Sequence, residues 1–166
     1  TPDDVESVMR VNYFSPVRLT LAFLPRMVER GSGHVVNVSS MGVHSAAFGV
    51  GAYSASKAAL ELFTESMHLE LAKTGVRAHL FVPGTTTTEF SDDKPGNEPS
   101  FVRNATDCAT PEEVAAALVA CIDDERFRTF APFKLGQMPG GRGELDVQLE
   151  RLTSAFPGAL NTERNE

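Results

Sequence analysis

Tyr53 and Lys57 stand four residues apart in YSASK, and the serine pair Ser39-Ser40 closes the run NVSS, with Ser40 thirteen residues before Tyr53. Residues four apart on a helix lie on one face, one above the other. An ammonium beside a phenol favours tyrosinate, which lets the phenol both give and take a proton. Serines at the carboxyl end of a parallel strand lie where open α/β sheets form their ligand crevice. A hydroxyl there can hold the oxygen of a carbonyl or an alcohol while the phenol moves its proton. A YxxxK pair alone arises often by chance, and serines are common at strand ends, so the chemistry depends on the elements that carry these residues.

The elements follow from local pattern. Pro2 with Asp3, Asp4 and Glu6 suits a helix N-terminus, and apolar positions from Val5 to Met27 predict a long helix over residues 2 to 30, buried on more than one face. Pro16 removes a backbone donor inside that pattern, so an irregularity is expected near Asn12 to Pro16. Gly31, Ser32 and Gly33 then turn the chain into HVVNVSS, a short β-branched run suited to a buried parallel strand. The Gly-, Ala- and Ser-rich stretch Met41 to Gly51 reads as a loop, residues 52 to 72 as a helix, and Gly75 as its stop. VRAHLFVP, residues 76 to 83, is a second strand and ends at Pro83-Gly84 before Thr85 to Thr88. Thus the serine pair closes one strand, Tyr53 and Lys57 open the next helix, and a Pro-Gly closes the next strand. Chance does not readily order all three at carboxyl ends of parallel strands.

Residues 89 to 109 are polar and carry Pro95, Gly96 and Pro99, a surface excursion too long for an ordinary connector. ATPEEVAAALVACIDD, residues 109 to 124, predicts a capped helix with Thr110 as N-cap, Pro111 at the first position and Glu113 completing a capping box. Phe127 to Leu135 reads as a third strand and Glu144 to Phe156 as a last short helix. Helix alternating with strand is the rhythm of an α/β fold with a parallel sheet and crossover helices.

Composition narrows the partners. A net charge of −7 across 166 residues, with no Lys/Arg run, argues against a nucleic-acid or anionic-membrane surface. No apolar stretch approaches the roughly 20 residues that span a bilayer, and the acidic start TPDDVESVMR has no secretory core; a cytoplasmic location is expected. Cys108 and Cys121 are too far apart for a CxxC pair, and the four histidines show no HxxxH spacing, so no metal site is expected.

The matching residues Asn12 in RVNYF, Ser40 in NVSS, Tyr53 and Lys57 in YSASK, and Pro83, Gly84 and Thr88 in PGTTTT together make the chain resemble the short-chain dehydrogenase/reductase family over roughly residues 1 to 125. The resemblance implies the C-terminal half of a Rossmann-like, doubly wound parallel sheet, a hydride exchanged between NAD or NADP and a carbonyl or secondary alcohol, and a small-molecule substrate. Tyr53 would be the general acid/base. Lys57 would bind the nicotinamide ribose and assist the phenol, and Ser40 would orient the reacting oxygen. Asn12 would hold a water linking Lys57 to solvent. Pro83, Gly84, Thr86 and Thr88 would meet the carboxamide of the nicotinamide. Ser39 should point to the opposite face of its strand. Helices 2 to 30 and 52 to 72 would form the dimer surface of a homo-oligomer.

The family's opening strand, its TGxxxGxG turn and its NNAG strand find no counterpart in these 166 residues. Gly140, Gly141 and Gly143 read as a turn, because no acidic residue follows at the distance a dinucleotide site needs. The expected organisation is therefore a partial dehydrogenase domain over residues 1 to 166, with 89 to 109 as a substrate-side loop and 136 to 166 as a C-terminal cap or tail. Phe90 and Phe101 are candidates for the substrate wall. Strand 34 to 39 would lack its inner neighbour, which makes the isolated chain marginal. The alternative is a catalytically incompetent truncated fold acting as a binding or dimerising module. An epimerase or dehydratase using the same YxxxK fits NVSS and PGTTTT less well.

Overall fold

A computed structural model describes residues 1–44, 50–88, 108–124 and 126–131. The chain opens with α1 (Pro2–Met9), a π-helical turn (Arg10–Phe14) and α2 (Ser15–Arg30), which together occupy the single long helix expected from the sequence. Thr1 caps α1 in a reciprocal capping box with Asp4. The irregularity falls where Pro16 requires it. Proline has no N–H for the carbonyl four residues earlier, that of Asn12, so the ladder widens: the Ser15 N–H and hydroxyl both turn back to the Arg10 carbonyl. Helix α2 stops at Gly31, which adopts φ 69°.

Strand β1 (Gly33–Val38) pairs in parallel with β2 (Val76–Pro83), and β2 pairs in parallel with β3 (Arg128–Ala131), giving the order β1-β2-β3. Between β1 and β2 run a 3₁₀ turn (Met41–Val43) and α3 (Gly51–Leu71); between β2 and β3 runs α4 (Pro111–Ala120). Each crossover helix takes one face of the sheet. On the first face Met67 and Leu71 of α3 pack against Val76 and Ala78, with Leu24 and Met27 of α2 alongside. On the other, Phe81 and Ala131 meet Cys121 together with Val114, Ala117 and Leu118 of α4. Leu80, Phe81 and Val82 are fully buried, as expected for a central strand of a doubly covered parallel sheet. This is the α/β, Rossmann-like architecture anticipated from the sequence.

Element boundaries differ from expectation by a residue or more, β1 running Gly33–Val38 against the expected 34 to 39. Helix α3 runs Gly51–Leu71 against the expected 52 to 72, and Gly75, beyond its end, serves a close backbone approach. At φ 76° it passes so near Gly31 that a Cβ on it would collide with the Gly31 carbonyl oxygen. Helix α4 covers Pro111–Ala120 within the expected 109 to 124, with the Thr110/Glu113 capping box in place, and then passes into turns at Cys121. Strand β3 starts at Arg128, one residue later than expected. The expected continuation of β3 to Leu135, the loop 89–107 with Phe90 and Phe101, the Gly140–Gly143 turn and the segment 136–166 with its helix lie outside the described residues.

Candidate active site

Alternation along β1 determines what reaches α3. Val35 and Asn37 point toward that helix, and Ser39, just past the strand, continues the same register. Asn37 Nδ2 donates to Thr64 Oγ1 at 2.9 Å, and Ser39 Oγ donates to Glu61 Oε1 at 2.5 Å. Ser39 is thus committed to the helix behind it, and Ser40 turns the other way. Its backbone is extended and its Oγ accepts the Gly42 N–H at 3.1 Å, capping the 3₁₀ turn.

Tyr53 and Lys57 occupy the first two turns of α3. A methyl at Gly42 would sit 3.4 Å from Ser40 Oγ and 3.6 Å from Tyr53 Cε1, so the serine and the phenol ring face one another across a residue with no side chain. Lys57 Nζ lies 5.9 Å from the centre of the Tyr53 ring and donates to the Val38 carbonyl at 2.9 Å. Burial pushes the Lys57 ammonium below its ordinary 10.5. An ammonium has three donors, and among the described residues Val38 takes one, which leaves capacity for the hydroxyls of a ribose. The donor set therefore fits a nicotinamide ribose.

Asn12, on the π turn, is carried to the same end of α3: its Nδ2 donates to Ser56 Oγ at 3.1 Å, and Ser56 Oγ donates to the Tyr53 carbonyl at 2.7 Å. The widened turn links to the tyrosine through Ser56, a relay the sequence pattern did not single out even though Ser56 lies inside YSASK. At the end of β2, the Gly84 N–H donates to the Ala131 carbonyl at 2.6 Å, and Thr86 bridges to Ala109. The Thr87 N–H donates to the Ala109 carbonyl and the Ala109 N–H to the Thr85 carbonyl. These bonds hold the Pro83 to Thr88 segment at the carboxyl end of the sheet, the end that also carries Ser40 and Tyr53. Asn12, Ser40, Tyr53 and Lys57 are thereby brought to one region around the start of α3. The residues missed from sequence are Ser56, Val38 through its carbonyl, and Glu61. Glu61 was open to discovery: it follows Tyr53 by eight and Lys57 by four, on their helical face.

Among known proteins, the chain is 36% identical over 124 residues to the ketoacyl reductase HetN of Nostoc, covering 74% of this chain and 42% of that protein. It is 35% identical over 120 residues to a fatty acyl-CoA reductase of Acinetobacter baylyi, covering 72% of this chain and 38% of that protein. The chain thus spans about two fifths of the length of these curated relatives. A short chain dehydrogenase from Burkholderia cenocepacia, solved in complex with NADP, superposes with a TM-score of 0.65 at 25% identity, over 96% of this chain and 58% of that one. The sequence model of the family described as short chain dehydrogenase matches residues 1–99, the stretch that contains Asn12, Ser40, Tyr53, Lys57 and the Pro83 to Thr88 segment. With this family model covering more than half of the chain and a parallel sheet beneath it, the chain belongs to the short-chain dehydrogenase family.

Proposed function

We propose that the protein carrying this chain is an NAD(P)-dependent oxidoreductase that interconverts a carbonyl and a secondary alcohol. The observation that carries this reading is the meeting of Ser40 and Tyr53 across Gly42, with Lys57 on the next turn of the same helix. When bound, the nicotinamide cofactor supplies or receives the hydride. The protein's own work is positional and protonic. Ser40 Oγ holds the substrate oxygen, and the Tyr53 hydroxyl delivers a proton to it in reduction or takes one in oxidation. Lys57 stabilises negative charge on the phenolate and grips ribose hydroxyls with the donors Val38 does not use. Thr86 and Thr88 are the candidates for the nicotinamide carboxamide, on the Pro83 to Thr88 segment held at the carboxyl end of the sheet. Asn12 supports the tyrosine end of α3 through Ser56.

The cofactor assignment is supported by the Burkholderia structure, which holds NADP, and the carbonyl class by the two named reductases. A homo-oligomer through the helical faces is supported by Val11, Phe14, Leu19 and Phe23, large apolar side chains about half or more exposed on the first helical run. The test is fluorescence titration with NADH and NADPH, followed by carbonyl-dependent oxidation of whichever binds. Tyr53→Phe should keep cofactor binding and lose turnover by at least about 10²-fold, the usual scale for a positioned acid/base. Retained turnover with lost binding would refute the assigned roles.

A further inference from the structure

Glu61 is fully buried, a costly place for a carboxylate, and among the described residues its Oε1 carries the hydrogen bond while its Oε2 has none. Its Oε1 accepts the Ser39 hydroxyl at 2.5 Å and lies 3.7 Å from His44 Nε2. No cation of α3 answers it directly: Lys57, one turn earlier, donates to the Val38 carbonyl. One turn later, Glu65 is engaged with Arg128 at 2.6 Å. The two groups that do meet Glu61 flank the candidate oxygen-holding serine. Ser39 immediately precedes Ser40, and His44 ends the turn that Ser40 caps, a turn closed by Val43 N–H on the Ser40 carbonyl and His44 N–H on the Met41 carbonyl.

The geometry points to Glu61 as a positioning residue that clamps both ends of the Ser40 turn onto the helix bearing Tyr53 and Lys57. One carboxylate, two helical turns beyond Tyr53 on the same face, sets the spacing between the group that holds the substrate oxygen and the group that moves its proton. Placement of this kind matters because small displacements of reacting groups weaken catalysis steeply. A purely packing side chain would fill the same volume without fixing either end of the turn. Glutamine can still accept the Ser39 hydrogen bond, whereas alanine cannot. The catalytic half of this inference rests on the oxidoreductase reading; the clamp itself does not.

The test compares Glu61→Gln, Glu61→Ala and Ser39→Ala in the full chain by two independent measurements. In Glu61→Ala, amide hydrogen exchange at Gly42, Val43 and His44 should rise about tenfold while exchange at Leu80, Phe81 and Val82 stays unchanged, with Glu61→Gln, which keeps the Ser39 bond, less affected than Glu61→Ala. In carbonyl reduction, kcat should fall about tenfold or more with little change in the cofactor KM, and Glu61→Gln should restore most of it. Uniform acceleration of exchange across the turn and β2, or a Glu61→Gln variant as impaired as Glu61→Ala, overturns the clamp. Should Glu61→Ala not fold, Ser39→Ala removes one of the two anchors with the carboxylate in place, and unchanged exchange at Gly42 and Val43 would overturn the clamp equally. A whole protein carrying the wild-type chain that shows no turnover refutes the oxidoreductase reading, and the exchange measurement still decides the clamp.

Discussion

Lys57 Nζ donates to the Val38 carbonyl oxygen at 2.9 Å, so the second turn of α3 is tied to the last residue of β1. The bond aims the ammonium from the end of the strand. Half-buried beside the Tyr53 ring, Lys57 has a charge that acts through less water than it would on an open surface.

Lys57→Met should therefore weaken both proposed roles of the ammonium. Turnover is expected to fall by about 10²-fold or more, with weaker cofactor binding, because one group serves the proton transfer and the ribose. Lys57→Arg should not restore it, since a planar guanidinium cannot replace a compact ammonium at a single carbonyl. Steady-state kinetics with fluorescence titration checks both; wild-type behaviour of Lys57→Arg would refute the point-charge role.

The Asn37 to Thr64 bond joins β1 to α3 between two buried side chains. Thr64→Val keeps the shape and removes the acceptor, leaving the Asn37 amide without it. A loss of about 1–3 kcal/mol is expected in urea denaturation, the usual cost of stranding a buried polar group. A loss below the error of the extrapolation would mean that Asn37 finds a replacement.

Gly75→Ala drives a methyl into the Gly31 carbonyl oxygen at a backbone angle of 76°, so strain and collision add. Destabilisation of at least about 1 kcal/mol is expected. Gly51→Ala is the contrast: it stands in the first turn of α3 with open space around it and should stabilise the chain by about 0.4–1 kcal/mol. Thermal melts of the two variants should move in opposite directions.

His79 is buried against His34, whose ring stacks on it at 5.2 Å between centroids. Burial, then the charges of His34, Arg77 and His68, lower it from the ordinary 6.5, against a hydrogen bond with the Arg126 backbone. As pH falls through 6.5 the unfolded chain takes up this proton and the folded chain does not until a lower pH. The unfolded state then binds more protons, so stability falls with falling pH in that window. The urea midpoint should drop as pH falls below 6.5, and His79→Asn should flatten the slope. An equally steep slope in His79→Asn would assign the loss to other groups.

The order of elements and the ends of β2 were legible in the sequence because each rests on local pattern: a β-branched run between turns, a proline at a helix start, a capping threonine three residues before a glutamate. The disturbance at Asn12 was legible for the same reason, since Pro16 has no N–H to give the Asn12 carbonyl. Ser40, Tyr53 and Lys57 could be picked out because they follow strand end and helix start at fixed spacing. Tertiary structure alone decided which partner each side chain takes. No local rule pairs Lys57 with the Val38 carbonyl nineteen residues earlier, Asn12 with Ser56 forty-four residues later, or Gly75 with the backbone of Gly31. Glu61 is the clearest case. Its spacing from Tyr53 and Lys57 puts it on their helical face, but not against any partner. Only the packing of α3 onto β1 buries it, and that packing sets its carboxylate against Ser39 and His44, because the sheet's pleat turns Ser39 toward the helix while Ser40 turns away.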